Sequence, residues 1–345
     1  EQRRIMGILI SVLVFGLVVM IHEFGHFAVA KICGIKVNEF SIGMGPKIFG
    51  KKKGDTEYNL RVLPIGGFVA MEGEDEGENM SEGSFNSVPV QSRILVVIAG
   101  AVMNMILGFA VLLFLVSGED AITSRKVKGF YENAKTYETG LREDDEIVAI
   151  NGRKCYIADD IIYEFARTEN ASADFTVIRD GKKIQLKGVT FDTVENDDGT
   201  SRMIIDFYVY PVEKTVHSVV REAANWTISL ARTVFLSLID LVTGHVAINQ
   251  MSGPVGIVST ISEAVSYGYE SVLLILAMIT INLGVFNLMP FPALDGGRLL
   301  FLLIELLRGK PLNPKYEMFV NARGMIILLG FMAFVTFSDI TKLFI

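Results

Sequence analysis

The chain has 345 residues, of which 50% are hydrophobic and 21% charged, and its mean hydropathy of +0.42 is too high for an ordinary soluble protein. A net charge of −7 argues against nucleic acid as a partner, since that would favour a basic surface. The two cysteines, Cys33 and Cys155, exclude a disulfide framework and a cysteine-based zinc site.

Residues 5–21 form an unbroken apolar run that leads directly into His22-Glu23-Phe24-Gly25-His26, and continuation to residue 32 gives a spanning length. Arg3 and Arg4 before the run suggest a signal peptide, but no small-residue cleavage site follows it. The next segment, 34–91, is Gly-rich and carries Lys36, Lys47, Lys51, Lys52, Lys53 and Arg61, which places it in the cytoplasm. Within it, 58–63 reads as a strand, Pro64-Ile65-Gly66-Gly67 as a bend, and 68–71 as the strand resuming, an edge that dips against the membrane. Residues 72–82 read as a flexible acidic loop.

A second span covers 94–116 and contains Asn104, which serves either as interhelical glue or as a site residue. Residues 118–213 read as a wet domain on the opposite side of the membrane from the basic loop. Here Asn151-Gly152 and Asp180-Gly181 mark turns, and 159–167 reads as a short helix with Asp at its start. Residues 219–243 place Glu222, Asn225, Ser229, Arg232, Thr233, Ser237 and Asp240 on one stripe. This is an amphipathic helix lying in the interface or packed under the wet domain, and Trp226 suits either setting. A third span, 271–288, leads into Asn287-Leu288-Met289-Pro290-Phe291-Pro292-Ala293-Leu294-Asp295-Gly296-Gly297 and a further apolar helix to about residue 307. After a basic loop at 308–323, a fourth span begins near residue 325, so both basic loops share the cytoplasmic side.

Two of the four histidines stand four residues apart and so share one helix face. The pattern is H-E-x-x-H, in which both imidazoles bind Zn2+ and the glutamate is general base toward the activated water. Its position at the end of a span makes it a functional candidate, because ionisable side chains are costly there. Two histidines leave a catalytic zinc one ligand short. Asp295 is the acidic residue that lies alone between Glu270 and Glu305, in a Pro- and Gly-broken stretch at membrane depth. It is read as the third ligand, with helix capping as the competing reading. His217 and His245 flank the amphipathic helix and read as surface or packing residues.

These residues carry a resemblance. The chain resembles the site-2 proteases, intramembrane zinc metalloproteases, and within them the bacterial RseP/RasP-type group, over nearly its whole length. The two metal motifs carry it, with Gly43-Met44-Gly45-Pro46, Pro64-Ile65-Gly66-Gly67-Phe68 and Ser252-Gly253-Pro254-Val255-Gly256-Ile257 in support. Ala99-Gly100-Ala101 departs from the group, which commonly has Pro after this Gly. The resemblance implies His22, His26 and Asp295 as zinc ligands and Glu23 as catalytic base. It implies a PDZ domain at 118–213 that binds an unknown ligand or acts as a size filter, and multi-pass placement in the bacterial cell membrane. It also implies lipid and single-span membrane proteins as partners, with anti-sigma factors, remnant signal peptides and pheromone precursors as the substrate types. Asn287, Gly66, Gly67 and Asn104 are the candidate substrate-binding residues.

The expected fold is thus a polytopic α-helical membrane protein with four transmembrane helices, a membrane-associated β region and one extracytoplasmic α/β PDZ domain. Its expected segments are 1–33, 34–91, 92–117, 118–213, 214–270, 271–307, 308–323 and 324–345. Two other function classes fit parts of the sequence. A membrane-anchored zincin acting on soluble substrates would not need Asp295, and a non-catalytic PDZ scaffold would need neither Glu23 nor zinc.

Overall fold

A computed structural model describes residues 2–74, 81–168, 171–195, 201–244 and 252–342. The chain forms two compact units, Glu1–Val111 with Thr233–Ile345, and Leu112–Arg232. In chain order the elements begin with α1 (Gln2–Ile32), β1 (Val37–Lys53), β2 (Thr56–Met71), α2 (Val90–Gly118), β3 (Ile122–Phe130), α3 (Lys135–Glu138), β4 (Glu146–Ile150), β5 (Arg153–Lys154) and α4 (Ala158–Ala166). They continue with β6 (Ser172–Arg179), β7 (Lys182–Thr190), β8 (Thr193–Glu195), β9 (Ser201–Met203), β10 (Phe207–Val212), α5 (Val216–Val242), α6 (Pro254–Tyr267), α7 (Tyr269–Leu288), α8 (Asp295–Arg308) and α9 (Pro314–Lys342).

Among the described residues, four helical stretches are long and apolar enough to cross a membrane: Ile5–Ile32, Val90–Gly118, Tyr269–Leu288 and Lys315–Lys342. A helix satisfies every backbone group within itself, so these apolar runs fold as helices where no water competes. The β region is more elaborate than a bent strand. Phe40 pairs with both Val69 and Tyr58, and Ile42 with both Gly67 and Leu60, so the first half of β1 lies between the two halves of β2. Reversals at Gly43 (φ +85°) and Gly66 (φ +83°) use a backbone region that favours glycine. The bend expected at 64–67 is therefore where β2 folds back, and β1, whose Lys and Gly content hid it, supplies the central strand. This sheet lies along α1. The Phe27 ring is 5.0 Å from that of Phe40, and a Cβ on Gly16 would come within 2.9 Å of the Pro64 carbonyl oxygen. Those contacts are eleven residues apart on α1, about 16 Å of helix axis.

The segment 214–270, expected as one amphipathic helix and a connection, contains a second helix, α6. Gly253 at its N-cap and Pro254 in its first turn are a standard helix start, and Asp339 of α9 accepts from the Gly256 amide at 2.8 Å. Between α7 and α8 the chain breaks at Pro290 and Pro292, with Ala293 at φ +69°. Gly296 allows α8 to start there, since a Cβ would meet the Met289 carbonyl oxygen at 1.9 Å. The expected acidic loop at 72–82 is described only at its ends, and His245 lies outside the described residues.

The second unit is built on a sheet of order β10-β3-β4-β6-β7, with β5 paired to β4. Val127, Leu141, Ile147, Phe165 and Phe175 are among its core residues. Asn151-Gly152 and Asp180-Gly181 turn the chain with positive φ, as expected of such dipeptides. The helix expected at 159–167 runs Ala158–Ala166, and it is the Asp160 carboxylate that accepts from the Ile157 amide at 3.2 Å. Asp160 also accepts from Ser229, and Arg232 reaches Asp160 and Glu164 at 3.3 Å each. Ser229 and Arg232 of the predicted polar stripe thus face α4, while Val219 and Trp226 pack with Val116 and Ile122. Of the two readings of that helix, packing under the wet region is the one these contacts support.

Candidate metal centre

His22 and His26 lie in the last third of α1, one turn apart and both buried. Their Nε2 atoms are 3.1 Å from each other. Asp295, first residue of α8, brings its Oδ2 to 3.0 Å from His22 Nε2 and 3.2 Å from His26 Nε2. Asp295 follows the N-cap position, held by Leu294, so it is not the cap that the competing reading required. Glu23 lines the same small cavity, of about 140 Å³.

The triangle fits a metal ion. Four donors placed tetrahedrally at the usual Zn–N and Zn–O distances stand about 3.3 Å from one another. The chemistry of the donors agrees. His26 Nδ1 lies 2.8 Å from the Val96 carbonyl oxygen, which can only accept, so Nδ1 carries the proton and Nε2 presents a lone pair. Asp295 Oδ2, which faces it, is buried without a hydrogen-bond donor among the described residues. Lone pairs pointed at one another in a dry site are unfavourable until a cation sits between them. Gly100 makes the room, since a Cβ there would lie 2.4 Å from His26 Nε2 and 2.8 Å from His22 Nε2.

Residues 10–331 match the family described as peptidase family M50. A Clostridium perfringens protein named as a zinc metalloprotease is 37% identical, over 97% of this chain and 98% of its own length. The regulator of sigma-W protease RasP of Bacillus subtilis is 32% identical over 97% of this chain and 98% of that protein. The zinc metalloprotease RasP of Bacillus licheniformis is 33% identical over the same shares, 97% and 98%. The chain belongs to peptidase family M50. It is a zinc metalloendopeptidase and a multi-pass membrane protein.

In this M50 peptidase the cavity draws on more than the metal motifs. Val69 and Met71 from the folded-back half of β2 line it, as do Val96 and Val97 of α2. Glu74 and Arg298 also line it and form an ion pair. Arg298 donates in addition to the Glu74 carbonyl oxygen at 3.3 Å and stacks over Phe85 at 4.5 Å. Sequence reasoning passed over both, although Arg298 stands three residues after Asp295 and so shares its helix face. Of the residues expected to touch substrate, Gly67 lies beside the expected base, with the position of its missing Cβ 3.6 Å from Glu23 Cγ. Gly66 turns β2 beside Met44. Asn287 is buried near the end of α7 and is not among the cavity's lining residues. Asn104 is fully buried, with its carboxamide 3.2 Å from His22 Nδ1, behind the ring rather than in the cavity.

Proposed function

We propose that this peptidase cuts single-span membrane proteins within the membrane, with zinc held by His22, His26 and Asp295 and with Glu23 as general base. The observation that carries this reading is the convergence of three lone-pair donors at the end of a membrane-length helix, in a cavity that Glu23 also lines. A zinc ion held by His22, His26 and Asp295 would supply Lewis acidity toward a water and toward the scissile carbonyl. Glu23 takes the proton from the attacking water and passes it to the leaving amine, which then departs neutral. Val69, Val96 and Val97 supply apolar parts of a cavity whose other lining is mostly charged or polar.

A helical substrate hides its carbonyls in its own hydrogen bonds and has to be unwound before cleavage. Residues 67–71 of β2 pair with β1 on one side only among the described residues, and Val69 and Met71 of this stretch line the cavity. An extended substrate adding to that free edge would be fixed beside Glu23 by backbone hydrogen bonds, whatever its side chains. The basic residues at Lys47, Lys51, Lys52 and Lys53 support a cytoplasmic side for this sheet and the site. Residues 118–213, within the unit Leu112–Arg232, are read as a PDZ domain on the extracytoplasmic side that binds an unknown ligand or acts as a size filter. The segments from 1–33 to 324–345 are proposed as the domain organisation, with α6 added to 214–270.

Glu23→Gln tests the reading. Purified variant that retains zinc but no longer cleaves a single-span substrate in proteoliposomes supports it, and unaffected cleavage would overturn it. Val69→Pro probes the strand edge, with cleavage expected to fall further than zinc occupancy; equal losses of both would count against strand addition.

A further inference from the structure

α2 places three residues at four-residue steps, Val96, Gly100 and Asn104, along the face that meets the two imidazoles. The Val96 carbonyl oxygen takes the Nδ1 proton of His26 at 2.8 Å. Gly100 leaves the space in which both rings lie. Asn104 sits one turn further on, 0% exposed, with its carboxamide 3.2 Å from the Nδ1 of His22. We propose that Asn104 is the positioning residue for His22: its Oδ1 accepts the Nδ1–H and so presents Nε2 to the metal as a lone pair.

The geometry leaves two orientations for the carboxamide, related by a half-turn that exchanges oxygen and nitrogen. With Nδ2 toward His22, Asn104 would be a donor, His22 Nδ1 would carry the lone pair, and the ring proton would move to Nε2. That proton would point into the triangle 3.1 Å from His26 Nε2 and 3.0 Å from Asp295 Oδ2, where it excludes a metal. With Oδ1 toward His22, both imidazoles are held alike, each giving its Nδ1 proton to an acceptor on one rigid helix. The Asn104 backbone carbonyl also accepts from Thr280 Oγ1 of α7 at 3.2 Å, a separate contact that ties the two helices together. The carboxamide is thereby left to His22, and the reading of Asn104 as interhelical glue belongs to its main chain. Groups that hold the second nitrogen of a metal-bound imidazole fix its tautomer, and their loss costs about 10–100-fold in metal affinity.

The proposal rests on His22 being a zinc ligand, and the experiment separates the two. Zinc affinity of the full chain in detergent is measured by competition with a chromophoric chelator, which needs no substrate. Asn104→Leu, of similar size but unable to accept, is expected to weaken zinc by about 10–100-fold. Asn104→Asp, which can only accept, is expected to stay within a few-fold of the native protein. Thr280→Val is expected to lower thermal stability while leaving zinc affinity unchanged. An Asn104→Leu protein that binds zinc as the native one does, or an Asn104→Asp protein as weak as Asn104→Leu, overturns the proposal. If His22→Ala loses zinc while Asn104→Leu keeps it, only this proposal fails; if His22→Ala keeps zinc, the ligand assignment fails with it. Should Asn104→Leu not fold, imidazole 15N signals of the native metal-free protein at alkaline pH decide. His22 as the Nδ1–H tautomer supports the proposal, and the Nε2–H tautomer overturns it.

Discussion

Two polar clusters in this protein each centre on one carboxylate and are opposite in logic. In the unit Leu112–Arg232, Asp145 is 0% exposed, yet each of its oxygens meets a donor. Arg179 binds it twice at 2.7 Å, and the Arg142 amide adds a third contact at 2.9 Å. In the membrane unit, Asp295 faces two imidazole nitrogens at 3.0 and 3.2 Å, its Oδ2 lacks a donor, and the nearer partners have lone pairs of their own to place. The first cluster is complete as protein and holds a turn in place. The second, on the proposed reading, is completed by a cation. The difference lies in what faces each carboxylate: donors surround Asp145, whereas the shielded Oδ2 of Asp295 meets none among the described residues.

The sharpest way to break this contrast is in the membrane unit. Removing Glu23 as Gln is expected to lower cleavage by about 10²–10⁴-fold, the range for loss of a general base, with zinc retained. His22→Ala or His26→Ala is expected to abolish both zinc and cleavage, measured by metal analysis and turnover on the same preparation. Gly100→Ala comes next. Its methyl group would fall 2.4 Å from His26 Nε2, so zinc content is expected to drop although no ligand has been changed. Full zinc in that variant would show that α2 is free to move away.

Asp145→Ala addresses the other side of the comparison. It strands the Arg179 guanidinium, whose side chain is 27% exposed and so partly hydrated. A loss of about 2–3 kcal/mol is expected, somewhat below that for a wholly buried pair, read by denaturant unfolding with zinc content unchanged. The smallest effect concerns Glu222 on α5. Burial is the main cause that pushes its carboxyl up to about 7 from the ordinary value of 4.5. Below the ordinary value both folded and unfolded forms are protonated, so there is no penalty. As pH rises from there through about 7 the unfolded chain ionises first, and this unit loses stability. Glu222→Gln should flatten that dependence and be the more stable protein above pH 7; an unchanged profile would remove Glu222 as its source.

The sequence exposed the metal motif because its chemistry demands residues four apart on one helix, and because Asp295 stood alone in an apolar region. What stayed hidden is main-chain chemistry. Val96 acts through its carbonyl and Gly100 through an absent side chain, and neither leaves a compositional trace. The central position of β1 was hidden for a related reason. Its lysines and glycines lower strand propensity, while what fixes it is pairing on both edges, a long-range property. Asn104 was visible as the polar residue of an apolar span, but its partner became clear only when α2 met α1. The turns Asn151-Gly152 and Asp180-Gly181 were legible because their backbone requirement is local.

The most direct test of the central claim is zinc content per chain in Asp295→Asn, measured after purification against the native protein. The amide keeps the shape of the carboxylate and removes the charge that completes the site. The account predicts native protein with one zinc and a variant that has lost most of it. A variant retaining zinc one to one would contradict the assignment of Asp295 as the third ligand.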